Sequence, residues 1–237
     1  MEVSGQLSTP LGWVDDPLAC AIHAAGAAWF AWQALDLVRR AGPAQRRAAS
    51  LAVFAGSAVG VLATSALYHG LPAAHAWKAS LQRLDHAAIF VLIAGTLTAL
   101  HAIGFHGRGR WWMVGFIWVF TALALLGKLV WWARMSDGLG LVLYVSLSAA
   151  GLSSILFLPR KLPWHAFMPM AGGALVYGIG ALLDHEGVAW LIPGVLGPHE
   201  IFHGAVLGAL LVHWRFFHAW ALPGRVTAPP PAAALPA

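Results

Sequence analysis

The chain of 237 residues is 59% hydrophobic and only 10% charged, with a mean hydropathy of +0.72. A soluble domain carries about a quarter charged residues, so a water-soluble globule is excluded, and the formal net charge of +5 reads as membrane orientation rather than nucleic-acid binding. The single cysteine, Cys20, excludes an intramolecular disulfide and a cysteine-rich metal site.

The N-terminal stretch MEVSGQLSTPLGWVDDPLA has no basic start ahead of its apolar run, which argues against a cleavable signal peptide. Stretches with few or no charged residues then mark the spans, each needing about 20 apolar residues to cross a bilayer. They fall at roughly 18–38, 48–69, 85–105, 111–130, 139–158, 167–183 and 199–218. The pattern predicts an all-α integral membrane protein, a seven-transmembrane helix bundle in one domain over residues 1–222. The sixth span, GGALVYGIGALL, is the weakest, being short and glycine-rich. Trp111–Trp112 and Trp131–Trp132 flank the fourth span as interfacial anchors. A Pro/Ala-rich tail over 223–237 is expected to be disordered.

Basic residues divide unevenly between alternate sides. The N-terminal side holds Lys78, Arg83, Lys128 and Arg134. The other side holds Arg39, Arg40, Arg46, Arg47, Arg108, Arg110, Arg160, Lys161, Arg215 and Arg225. The positive-inside rule then predicts an external N-terminus and a cytoplasmic C-terminus.

The seventh span opens on HEIFH, His199 to His203, which has the H-E-x-x-H spacing of a zinc protease. Such proteases need a third ligand, usually downstream. No Asp or Glu follows Glu200, and the extended metalloprotease pattern fails because Val206 and Ala209 stand where Gly and His belong. His213 and His218 lie ~15 Å and ~22 Å further along the same helix, out of reach of the same ion. A third ligand must come from upstream.

Two upstream segments qualify: SALYH at 65–69, which closes the second span, and LDHAAI at 84–89, which opens the third. By parity, the end of span two and the starts of spans three and seven share one membrane side. His199 and His203 at i, i+4 can point at one ion, and Ser65 shares the face of His69. Three neutral imidazoles plus a water make an open, catalytic type of zinc site. Asp85 is placed to accept a proton from that water, and Ser65 to hydrogen-bond a ligand or a developing oxyanion.

S-x-x-x-H at Ser65–His69, D-H-x-x-I at Asp85–Ile89 and H-E-x-x-H at His199–His203 resemble the hemolysin III family, the bacterial branch of the progestin and adipoQ receptor superfamily. The similarity runs over nearly the whole chain and includes DPLACAIHAAGAAW, like the family's acidic-then-histidine opening. The resemblance implies a seven-helix bundle in a bacterial plasma membrane. It also implies zinc held by His69, His199 and His203 near one membrane face, with Asp85 and Ser65 beside a zinc-bound water. The wider group, which includes alkaline ceramidases, implies hydrolysis of amide bonds in lipids.

The favoured reading is therefore a zinc-dependent hydrolase of lipid amide or ester bonds, its substrate arriving sideways from the bilayer. The alternatives are a non-enzymatic sensor, receptor or lytic protein with a structural zinc, and the intramembrane protease. Each residue also has a plainer reading. Asp85 could cap the third helix, Ser65 could bond back to the Val61 carbonyl, and His69 could be an interfacial residue. Glu200 is expected to point away from the metal, towards the interface or a base such as Lys78 or Arg83. His23 is expected to pack against or support the site without ligating, and His86 to pack against a neighbouring helix. His75, His101, His106, His165, His185, His213 and His218 are read as loop or interfacial residues.

Overall fold

A computed structural model describes residues 14, 16–42, 45–188 and 197–221. These residues form seven long helices: α1 (Pro17–Arg39), α2 (Gln45–Gly70), α3 (Lys78–Gly104), α4 (Gly109–Val130), α5 (Asp137–Phe157), α6 (Met168–His185) and α7 (Pro198–Trp220). One-turn 3-10 helices at Trp132–Arg134 and Trp164–Phe167 lead into α5 and α6, and no strand occurs among the described residues. The Pro/Ala-rich tail expected from residue 223 lies outside them.

Six of the seven, α1 to α6, are long and apolar enough to cross a membrane. Helix α7 has the length but carries four histidines, Glu200 and Arg215, which dilute its apolar character.

Local sequence explains the boundaries. Asp16 caps α1, its Oδ1 accepting from the Ala19 amide at 2.9 Å, with Pro17 in the first turn, where a missing amide hydrogen costs nothing. Helices α2 and α3 start earlier than the expected spans, at Gln45 and Lys78. QRR and KASLQR hold no helix breaker, so the helices continue past the apolar stretch that hydropathy locates. Asp85 consequently stands two turns inside α3 and does not cap it.

Helix α3 is central and touches α2, α4, α5 and α7. Every residue from Ala94 to Gly104 is buried. The two threonines in this run satisfy their hydroxyls by bonding back four residues, Thr96 to Leu92 O and Thr98 to Ala94 O. Gly95 lets α2 approach closely, since a Cβ there would collide with Ser57 and the Val53 carbonyl. An aromatic group of Phe30, Phe54, Trp214 and Phe217 joins α1, α2 and α7. Two histidines expected at loops or interfaces belong to this interior. His101 is fully buried, with Nδ1 against the Leu97 carbonyl and Nε2 against Ser154 Oγ, and His213 is buried with Nε2 against the Met170 carbonyl. Both imidazoles find acceptors inside the bundle, so burial leaves most of their polar atoms satisfied.

Candidate metal centre

The antiparallel course brings one end of the bundle together: the start of α1, the end of α2, the second turn of α3, the end of α6 and the start of α7. Asp16 is pinned there because its amide donates to the His69 carbonyl at 3.1 Å. With Oδ1 used as the α1 cap, Oδ2 lies 3.7 Å from His69 Nδ1. His69 closes α2, and Ser65 lies one turn deeper; both are 4% exposed. Gly197 and Pro198 start α7 so that His199 and His203 project from its first two turns.

One donor atom each from Asp16, His69, His199 and His203 lies within 4.8 Å of all the others. The ring centres of His69, His199 and His203 are 4.3–5.3 Å apart. The three histidines expected to converge do so, from two helices that meet only in the fold.

The contacts of each ring nitrogen limit which atoms can face an ion. His199 Nδ1 faces Asp184 Oδ1 at 3.3 Å and donates to it. His203 Nδ1 lies 2.7 Å from His23 Nε2. In the tautomer in which His203 Nδ1 donates to His23, as His199 Nδ1 donates to Asp184, both Nε2 lone pairs are free, and these two atoms stand 3.0 Å apart. Two lone pairs at that distance repel unless a cation or a proton lies between them. Ligands about 2.0–2.1 Å from a tetrahedral ion sit about 3.3 Å from one another, so the spacing fits a metal. A carboxylate on the far nitrogen of a ligating imidazole is a common device for fixing ring orientation and raising basicity. The group of three histidines and Asp16, buried except for the half-buried His199, can hold a metal ion.

His23 is buried and supports His203 rather than joining the cluster, in line with the supporting role expected of it; its own Nδ1 has no partner among the described residues. Ser65 and Asp85 interact side chain to side chain across α2 and α3, and Asp85 is within electrostatic reach of His199. Glu200 is not part of the cluster, and its carboxylate serves its own helix. Its Oε2 accepts from the Gly197 amide at 2.8 Å, closing the first turn of α7. His86 packs edge-on against Trp132, and its carbonyl accepts from Tyr144 OH at 2.8 Å.

Asp16 and Asp184 were not among the expected site residues. Asp16 had a signal, an acidic residue before proline at a helix start followed by His23. Asp184 had none beyond its place in a polar break, because its pairing with His199 depends on how the end of α6 meets the start of α7.

A family model described as haemolysin-III related matches residues 11–214. The chain belongs to the haemolysin-III-related family. The match takes in the cluster of Asp16, His69, His199 and His203, together with His23, Ser65, Asp85 and Asp184 around it. Among curated proteins, a Hemolysin-3 from Bacillus cereus is 28% identical over 125 residues, which is 53% of this chain and 54% of that relative. The chain thus matches about half the length of this haemolysin-III relative.

Proposed function

We propose that this protein is a seven-span membrane hydrolase that uses zinc to cleave amide or ester bonds of lipids. The observation that carries the reading is the convergence of the His199 and His203 Nε2 atoms at 3.0 Å, with each Nδ1 committed to a partner. His69, His199 and His203 are the proposed ligands. Nitrogen donors with one carboxylate suit zinc better than the oxygen-seeking magnesium or calcium. When bound, zinc supplies Lewis acidity at the reacting carbonyl and at water.

The chain's own residues do the rest. Asp85 takes a proton from the attacking water and returns it to the leaving amine or alcohol as the acyl bond breaks. Ser65 interacts with the Asp85 carboxylate and so orients it for that proton transfer. Lipid reaches the centre sideways from the bilayer. The excess of Lys and Arg at the opposite end supports an orientation with this end and the N-terminus outside a bacterial plasma membrane and the C-terminus in the cytoplasm.

Asp16 supports a second reading. If its Oδ2 ligates, the ion has four protein ligands, the closed shell of a structural site. The protein would then be a non-enzymatic sensor or lytic protein in which the ion ties α1, α2 and α7 together.

The experiment that separates the two is a screen of ceramide-like and acyl-amide lipids with the purified full chain and with Asp85→Asn. The hydrolase reading predicts that Asp85→Asn keeps its zinc and loses turnover by about 10²–10⁴. Full activity of Asp85→Asn on a confirmed substrate overturns the proton-transfer role. No turnover by the zinc-loaded wild type, together with zinc loss in Asp16→Asn, favours the structural reading.

A further inference from the structure

The end of the bundle opposite the histidines carries a second concentration of ionisable groups that the metal chemistry does not use. Lys161 Nζ and Arg110 Nη1 donate to the same acceptor, the Ala102 carbonyl at the end of α3, at 3.1 and 3.2 Å. Arg110 Nη1 also reaches the Phe105 carbonyl at 2.6 Å, while its buried Nε has no partner among the described residues. Arg47, from the first turn of α2, donates to the Ala221 carbonyl beyond α7 and lies within electrostatic reach of both Arg110 and Lys161. Arg46 also lies within reach of Arg110, and its exposed side chain makes no hydrogen bond or ion pair among the described residues.

Capping accounts for the individual carbonyl contacts, because cations favour helix C-termini. It does not account for the sum. A helix end offers about half a negative charge, so the ends of α3 and α7 offset roughly one of the three charges on Arg47, Arg110 and Lys161. No carboxylate offsets the remainder. Asp36 is the one acidic residue of this end among the described residues, and it is taken by Arg40 at 2.7 Å and His218 at 3.1 Å. Burial, then the charges of Arg110 and Arg47, lower Lys161 to about 8, as expected of a cation without a counterion.

We propose that Arg46, Arg47, Arg110 and Lys161 form a binding site for the phosphate of an anionic phospholipid headgroup. Guanidinium donors from two helices and one ammonium suit a phosphate with several acceptor oxygens. The level in the membrane favours a lipid over a soluble anion. Arg110 stacks 5.0 Å from the Trp111 ring, and Trp112 beside it is 79% exposed, the placement of an aromatic belt at headgroup depth. Basic pockets between helices on the cytoplasmic side are suited to anionic headgroups. The site is independent of the metal reading, since it lies at the other end of the helices.

The test titrates the detergent-solubilised full chain with phosphatidylglycerol, with phosphatidylcholine and with inorganic phosphate, reading bound lipid by native mass spectrometry and the thermal midpoint. The wild type should bind phosphatidylglycerol saturably, with no matching response to phosphatidylcholine or phosphate. Arg110→Gln with Lys161→Gln should weaken the apparent affinity by roughly tenfold or more. Arg39→Gln with Arg215→Gln, which removes the same charge from exposed positions, should leave it unchanged. If the first pair fails to fold, Arg46→Gln, which caps nothing, decides instead with an expected weakening of about threefold or more. Equal weakening in both pairs, an unchanged Arg46→Gln, no saturable binding, or a phosphate response equal to that of the lipid would each overturn the proposal.

Discussion

Replacing His23 by Phe separates a residue that supports the metal centre from one that holds the metal. Phe keeps a ring against His203, whose centre lies 4.5 Å from that of His23, and against His69 at 6.3 Å. What it removes is the 2.7 Å hydrogen bond to His203 Nδ1. That proton is then buried without an acceptor, a loss of about 1–3 kcal/mol. His203 can recover part of it by turning its ring or changing tautomer, and either movement takes Nε2 away from His199. At 1.4 kcal/mol per tenfold, the loss corresponds to about 5- to 150-fold in affinity, consistent with the roughly 10–100-fold seen when such supporting partners are removed. Competition with a chromogenic chelator, performed on the purified chain in detergent, measures it. His23→Gln, which offers an amide oxygen to the same proton, should recover much of the affinity. Wild-type affinity in His23→Phe, or a loss in both variants as complete as that of a ligand histidine, would refute the assignment of His23 as an orienting partner.

Three further outcomes follow from the packing. Gly95→Ala should lower the thermal midpoint in detergent by the equivalent of about 1–3 kcal/mol, because the new Cβ meets Ser57 and the Val53 backbone carbonyl; metal content should not change. Glu200→Ala should likewise keep its metal and lose only the bond to the Gly197 amide, about 0.5–1.5 kcal/mol in the same melt. His101→Ala should destabilise by about 2–5 kcal/mol, since it leaves a cavity where a fully buried ring stood while Ser154 Oγ keeps its bond to the Gly151 carbonyl, and should leave metal stoichiometry at the wild-type value.

Most of the centre was legible before any coordinates because of two regularities. Hydropathy locates helices well when the surrounding solvent is lipid, since backbone groups there must be satisfied within the segment. Counting helices fixes which ends share a side, which is enough to bring His69, His199 and His203 together. What escaped was what depends on side-chain direction and on how neighbouring helix ends meet. The pairing of Asp184 with His199, 3.3 Å apart and 15 residues distant in sequence, has no spacing rule behind it. Asp16 looks like an ordinary cap of α1, and it is one; only the approach of α2 turns its second oxygen towards His69. His101 and His213 were misplaced for a related reason. Hydropathy scores a histidine as polar, whereas an imidazole with a carbonyl or hydroxyl at hand is readily buried in a helix bundle.

The most direct test of the account is elemental analysis of the full chain purified in the presence of zinc, beside His69→Ala, His199→Ala, His203→Ala and Glu200→Ala. An ion held by three histidines predicts about one zinc per chain in the wild type. It also predicts steep loss in each histidine variant and near-wild-type content in Glu200→Ala, whose side chain serves the first turn of α7. Zinc retained by His69→Ala but lost by Glu200→Ala would contradict the centre described here and return the H-E-x-x-H segment to the protease reading.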